Sequence, residues 1–428
     1  MTSSAAVAFR VLLTRAIRLG LSTVTGVLIA RTLLPEGRGV YAVIATAAGA
    51  AIVVGHLSLE KSQLALWSDA ARHRALITNG TVLGLLLGSI SALGAMLLVT
   101  LTGSPGGWDV WLVALCAVPF GAAAVNLNSI LMLQSRMDLL NRKTVVCSLA
   151  QCLPILLLVA VDRVSVTGVI VCWAVSTALP FFLAVRELRP YPRWDPALVR
   201  RQLALSGRYH VGWVAMYLLV TVDVLLLNAL DSPATVGIYT VAVTVMALTR
   251  IPGETITQIV LPAQAAGEPD DAKHVTARAL RLNLLVSSAV VTLLAALSPW
   301  LVPLVYGPAF AGSVAPLLAL APGTVALMVV RPLEQHLVRL DRPLAMAAVS
   351  LTALAANVLL NLVMIPWWGA VGAAVASTVT YFLMAGVEVS RFTASTGLPA
   401  RALVPGVADV RLLFRPLNRG RERVRRSV

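Results

Sequence analysis

The chain has 428 residues, 58% of them hydrophobic and 12% charged, with a formal charge of +15 and a mean hydropathy of +0.85. Ordinary soluble domains carry about 25% charged residues, so this composition leaves too little polar surface to face water and excludes a soluble globular protein. It also argues against nucleic acid as a partner, because the Arg residues fall between apolar runs and no basic stripe is interleaved with stacking aromatics.

Apolar runs bounded by charge, Pro or Gly fall at 11–34, 39–58, 76–102, 109–133, 144–161, 164–185, 209–230, 235–258, 282–302, 313–333, 344–365 and 370–390. A hydrocarbon core of about 30 Å takes about 20 helical residues. Each run therefore predicts one span, and the chain reads as an all-α polytopic membrane protein of about twelve transmembrane helices. No short apolar stretch with a small-residue cleavage site opens the chain, so the first helix is expected to be retained.

The first run is interrupted. Leu19–Ala30 is an uncharged stretch of only twelve residues, so the helix must draw Arg15 and Arg18, or Arg31, to membrane depth. An Arg at that depth snorkels, pairs or faces water, and its fork matches phosphate oxygens. Arg15, Arg18 and Arg31 are candidate phosphate ligands, with snorkelling as the alternative for each. Further along, Cys116, Cys147, Cys152 and Cys172 lie inside apolar runs without metal-ligand spacing. They read as small buried hydrophobes, and neither a metal nor a cofactor is expected.

The basic stretch Arg186–Arg208, with Pro190, Pro192 and Pro196, separates six runs from six. It divides the chain into an N-terminal six-helix lobe, 1–208, ending in a cytoplasmic linker, 186–208; a C-terminal six-helix lobe, 209–400; and a basic cytoplasmic tail, 401–428. In the seventh run Asp223 stands a few residues past the middle. A carboxylate there should face the bundle interior, where it binds a coupling proton or cation, pairs with an Arg, or makes a structural bond. Arg250 and Glu254, four apart, can share a helical face and form a local pair; an inward Arg250 would be a further phosphate candidate. Asp270-Asp271 reads as a solvated loop beside Pro269 and Lys273. Asn357 and Asn361 also share a face and serve interhelical packing or sugar hydroxyl recognition. Pro119, Pro154, Pro180, Pro252, Pro316 and Pro322 interrupt predicted helices and free backbone carbonyls. The tail from Arg411 to Arg426, with Glu422 as its one acid, suits anionic lipid headgroups.

With both termini placed in the cytoplasm, all of the 34 Lys and Arg except Arg31, Arg38 and Arg163 fall on the inner side. That bias is what insertion imposes, and it predicts a multi-pass protein of the cell membrane. Trp108, Trp111, Trp300, Trp367 and Trp368 then lie at the outer interface and Trp67, Trp194 and Trp213 near the inner one. The halves echo each other: GVYAV at Gly39–Val43 and GIYTV at Gly237–Val241 each open a second helix, and Gly168 with Ser176-Thr177 is matched by Gly372 with Ser377-Thr378. A duplicated unit of six spans implies two lobes with a site between them, a transporter architecture.

Four stretches, ARTLLPEGRGVYAV at Ala30–Val43, DSPATVGIYTVA at Asp231–Ala242, VYGPAFAGSVAPLLALAPG at Val305–Gly323 and NVLLNLVMIPWWGAVGAAVAS at Asn357–Ser377, carry a resemblance. The chain resembles the multidrug/oligosaccharidyl-lipid/polysaccharide (MOP) exporter superfamily, and within it the MATE-related bacterial flippases of lipid-linked sugars. The resemblance implies a two-lobed carrier working by alternating access on a polyprenyl-pyrophosphate-linked oligosaccharide, with a cationic central cavity. Polysaccharide polymerase and assembly proteins become candidate partners. The sequence departs from the pattern in placing no Lys at any expected helix centre. A cation-coupled drug or metabolite antiporter is the alternative, although no acid occurs between Phe9 and Leu34 where such exporters often hold one. A membrane-embedded glycan polymerase or ligase is disfavoured, since the expected outer loops are short and lack His.

Overall fold

The computed structural model describes residues 4–102, 105–190, 193–257, 269–339, 343–407 and 409–410, and among these it contains helices and no strand. Among the described residues, nine helices are long and apolar enough to cross a membrane, or ten when one bent pair is counted as a span. Two of these are double length. Ser4–Gly55 breaks at Leu34 (φ 57°), and Pro343–Thr396 breaks at Gly369 (φ 51°). Division at those breaks is compatible with the twelve spans expected.

Each break has a local cause. Pro35 has no N–H to continue the ladder, and its ring bars the helical conformation to Leu34. The second break follows Pro366 and falls on Gly369, the residue type that tolerates a positive φ. The chain therefore reverses between spans one and two, and between eleven and twelve, within a residue or two. The remaining spans are His73–Thr102, Trp108–Cys116 with Val118–Leu133, Met137–Ala160, Val166–Leu188, Pro196–Leu219 with Val222–Leu230, Pro233–Thr249 and its continuation, Pro269–Tyr306, and Val314–Arg339. A short helix, Leu59–Leu66, follows span two.

Span seven begins earlier than expected. The stretch 196–207, read as linker, is helical because the Asp195 carboxylate caps the Leu198 N–H at 2.9 Å and Pro196 fits the first turn. This helical start packs on the first half of the chain. Leu198 joins Leu66, Ala75 and Leu76, and Asn79 Nδ2 donates to Gln202 Oε1 at 3.0 Å.

The largest apolar core joins spans from both halves and includes Ile44, Trp111, Tyr239, Val302 and Phe310. Trp108, Trp300, Trp367 and Trp368 are exposed as an interfacial belt requires, but Trp111 is 2% exposed. Its indole N–H donates to the Pro105 carbonyl at 2.9 Å, which lets the ring pack inward with its polar atom satisfied. Trp111→Ala should cost about 3–5 kcal/mol, read as a lowered melting midpoint in detergent; an unchanged midpoint would refute the packing role. Of the cysteines, Cys152 and Cys172 are buried, Cys147 is half-buried and Cys116 is exposed. Cys116 therefore departs from the expected core position, because its side of span four faces outward.

The echoing motifs meet. A Cβ built on Gly39 would lie 1.6 Å from the Pro233 carbonyl oxygen, and one on Gly237 would lie 1.9 Å from the Pro35 carbonyl oxygen. Spans two and eight thus cross backbone on backbone at equivalent points of one repeated pattern, Pro-x-x-x-Gly-x-Tyr. The turns at Leu34 and Asp231 gather at this end of the bundle, called here the Gly39 end.

Candidate functional site

Three of the polar constellations among the described spans bear on function. The first is a cavity of about 270 Å³ in the first half, between spans one, four, five and six. Arg18, Asn128, Lys143, Ser148, Gln151 and Ser176 are among the residues that line it, together with Cys147. Lys143 is buried, and its Nζ donates to Asn128 Oδ1 at 2.6 Å. No Asp or Glu is among the lining residues, so two cations and several hydroxyl and amide groups face one space. Such a set binds an anion.

No Lys stands at a helix centre, but Lys143, just outside the expected fifth run, lies inside span five near its start. Span five begins at Met137, six residues before Lys143, and carries its side chain inside. Beside Arg142, and just ahead of an apolar run, Lys143 reads in sequence as loop. Both Arg15 and Arg18 are exposed, and of the two only Arg18 lines the cavity.

The second constellation is a buried cluster around Asp223. Span seven breaks at Val220–Thr221 with a 48° bend, and Asp223 occupies the first turn of its second segment. A helix start leaves N–H groups free and favours negative charge. The Val224 N–H donates to Asp223 Oδ1 at 2.9 Å, and Tyr239 of span eight and Ser377 of span twelve donate to Oδ2, Ser377 at 3.2 Å. Asn357 Nδ2 donates to Ser377 Oγ at 3.4 Å, and Asn361 Nδ2 donates to Asn357 Oδ1 at 2.9 Å. Asn361 Oδ1 is buried with no hydrogen-bond partner. Asp223, Asn357 and Asn361, chosen separately from sequence, thus belong to one network, together with Tyr239 and Ser377. Both of those added residues lie in the echoed motifs.

Arg250 sits near this cluster, beside Tyr381. Among the described residues it forms no ion pair with Glu254, and its Nε is buried without a partner. The helical spacing itself is kept, since the Glu254 N–H donates to the Arg250 carbonyl at 2.9 Å, but the two side chains do not meet.

The third constellation joins the halves at the Gly39 end. Arg31 donates from Nε to the Val305 carbonyl at 2.8 Å and from Nη2 to the Leu304 carbonyl, satisfying free carbonyls at the end of span nine. Arg31 is thus a bridge between halves rather than a residue of the cavity. Arg38, counted in the sequence only as an outer-end charge, is 6% exposed. Its Nη1 donates to the Gly26 carbonyl at 2.9 Å and its Nη2 to Thr244 Oγ1 at 3.4 Å, with the Tyr306 ring centroid 5.9 Å away. A signal for it exists in the echo, where the residue matching Arg38 is the buried Val236.

The architecture recurs in solved carriers. It is similar to a lipid II flippase, MurJ, in an inward closed conformation, with a TM-score of 0.74 at 12% identity, covering 94% of this chain and 89% of that one. It is also similar to a multidrug resistance MATE family transporter of the MOP superfamily in an inward-facing conformation, with a TM-score of 0.66 at 15% identity and coverage of 93% and 98%. An outward-facing MATE structure gives 0.65 at 12% identity, with coverage of 92% and 96%. The same fold is thus found in carriers facing inward and in carriers facing outward. The chain belongs to the polysaccharide biosynthesis protein family, whose model matches residues 8–265, more than half of its length. Curated protein sequences give no match.

Proposed function

We propose that the protein turns a polyprenyl-pyrophosphate-linked oligosaccharide from the cytoplasmic to the outer face of the cell membrane, by rocking a lobe of residues 1–208 against one of 209–400. The observation that carries this reading is the cavity with two cations and no lining acid. Arg18 offers a planar fork and Lys143 a point charge, a combination suited to the linked phosphates of a pyrophosphate. Asn128, Ser148, Gln151 and Ser176 supply hydrogen bonds beside them. With both termini cytoplasmic, as the charge bias favours, the closed Gly39 end is the outer gate.

Asp223 is remote in role from the anion cavity and serves coupling to a proton or metal cation. That cluster also supports the second reading, a cation-coupled antiporter of small molecules. The tail from Arg411 to Arg426, which lies outside the described residues, holds anionic lipid headgroups, and polysaccharide polymerase or assembly proteins receive the product.

The test is reconstitution of the purified chain in liposomes with a fluorescent undecaprenyl-pyrophosphate oligosaccharide, scored for exposure on the opposite leaflet. Lys143→Met, which keeps the length and removes the charge, should slow flipping by about tenfold or more, the worth of a charge-assisted bond. No flipping by a folded wild-type preparation would favour the antiporter, and normal flipping by Lys143→Met would remove the cavity from the route.

A further inference from the structure

Arg38 is more than a strut. A guanidinium buried in a membrane bundle is ordinarily matched by a carboxylate, since desolvation of an unpaired charge is costly. The atoms around Arg38 are instead a backbone carbonyl, a hydroxyl and an aromatic face, and its Nε is buried with no hydrogen-bond partner. Glu36, two residues earlier, is exposed and forms no ion pair with it among the described residues.

The partners divide by half. The Gly26 carbonyl belongs to span one, on Arg38's own side, while Thr244 and Tyr306 belong to spans eight and nine on the other. Any opening at the Gly39 end must separate Thr244 and Tyr306 from Arg38. The arginine then keeps one carbonyl and turns Nη2 and Nε, two donors set in a fork, toward the gap. A fork in that position calls for a phosphate-type anion.

The depth fits a second station. Arg18 and Gly26 lie on the same helix eight residues apart, roughly 12 Å at 1.5 Å per residue. Arg38 is therefore held about that far along span one from the cation of the first cavity. Between them, Gly20 and Gly26 each have no heavy atom within 4 Å of a built Cβ, so span one is smooth there.

We infer that Arg38 is a second anion site, entered only when the Gly39 end opens, which takes the phosphate groups of the substrate from the Arg18–Lys143 cavity before release. The inference rests on the flippase reading for its substrate, but its chemistry can be tested without one. The rival role for Arg38 is a latch, in which its bonds to Thr244 and Tyr306 only hold the seam shut.

The experiment uses the full chain in liposomes, with its four natural cysteines replaced by Ser and Thr244→Cys as a reporter at the seam. Labelling by a membrane-impermeant thiol reagent from the Gly39 side is followed with and without inorganic pyrophosphate. Pyrophosphate should slow labelling at least about threefold when Arg38 is present and have no effect in Arg38→Gln. Equal protection in both chains, no protection in either, or no labelling in a protein that flips would each overturn the inference.

Two variants separate station from latch. Arg38→Gln should slow lipid flipping about tenfold, whereas Tyr306→Leu, which weakens the latch but keeps the guanidinium, its bond to Thr244 and the Gly39–Gly237 crossing, should leave flipping within about twofold. Similar losses in both would establish the latch and overturn the station. If lipid flipping fails in the wild type while pyrophosphate protection at position 244 persists, the substrate reading falls and the anion site stands.

Discussion

Gly39→Ala or Gly237→Ala is expected to shift the protein toward the state open at the Gly39 end and to slow flipping about tenfold, with the fold intact. The added Cβ would fall 1.6 Å or 1.9 Å from a backbone carbonyl oxygen of the opposing helix. Neither contact can be relieved by a side-chain rotation, because both obstructing atoms are main chain. The helices must separate, and only in the closed arrangement do they touch there. Overpacking of this kind costs about 1–3 kcal/mol, which as a differential between two states is a factor of about 5–150 in their populations. Arg31 and Arg38 span the same seam, so its separation also lengthens their bonds to Val305 and Thr244. Gly94→Ala is the control, since nothing lies within 4 Å of its built Cβ. Thiol labelling at Thr244→Cys should rise in both seam variants and stay at wild type in the control. Unchanged labelling together with normal flipping would show that the crossing is not a gate.

Much of this architecture is written in short-range pattern. Apolar run lengths mark the spans, and the confinement of nearly all Lys and Arg to alternate connections is legible without tertiary structure. The Leu34-Pro35 step announces a break by the chemistry of Pro, and Gly369 by its tolerance of positive φ. What the pattern conceals is where a charge at the edge of a run finally points. Lys143 and Arg38 both stand at such edges, and their burial is set by other helices: the preceding span four for Lys143, and the distant spans eight and nine for Arg38. Arg31 shows the converse, an edge charge that is exposed yet bridges the halves through carbonyls of residues 304 and 305. Comparison of the echoed motifs marks Arg38 among them. At the second half's equivalent of Arg38 stands Val236, fully buried, so the first half places a guanidinium where the fold accepts a core residue. The Asp223 network was partly legible because a carboxylate in an apolar run and two amides a turn apart are conspicuous. Its completion by Tyr239 and Ser377 required the packing of spans eight and twelve on span seven.

Asp223→Asn should leave the protein folded and uncouple it. Asparagine keeps the volume of aspartate and an oxygen that can accept from Val224, Tyr239 or Ser377, so the bonds that join spans seven, eight and twelve have a replacement acceptor. A purely structural aspartate would therefore tolerate the change, with a melting midpoint and flipping rate near wild type. A coupling carboxylate would not, because asparagine neither ionises nor exchanges a proton. The surrounding oxygens strengthen that expectation. Ser377 Oγ, Asn357 Oδ1 and the unpartnered Asn361 Oδ1 extend from Asp223 in one chain of contacts, a hard-donor environment suited to a small cation or to a proton on the carboxylate. In liposomes the wild type should flip faster under one of two imposed gradients, pH or sodium, and the responsive gradient identifies the ion. Asp223→Asn should run at one slow rate, about tenfold below the stimulated wild type, whichever gradient is imposed. Asn361→Leu should weaken the response to sodium but spare a response to pH, since it removes an oxygen donor while leaving the titratable group in place. Retention of full gradient stimulation by Asp223→Asn would assign the cluster to packing alone and move the coupling site to another part of the chain.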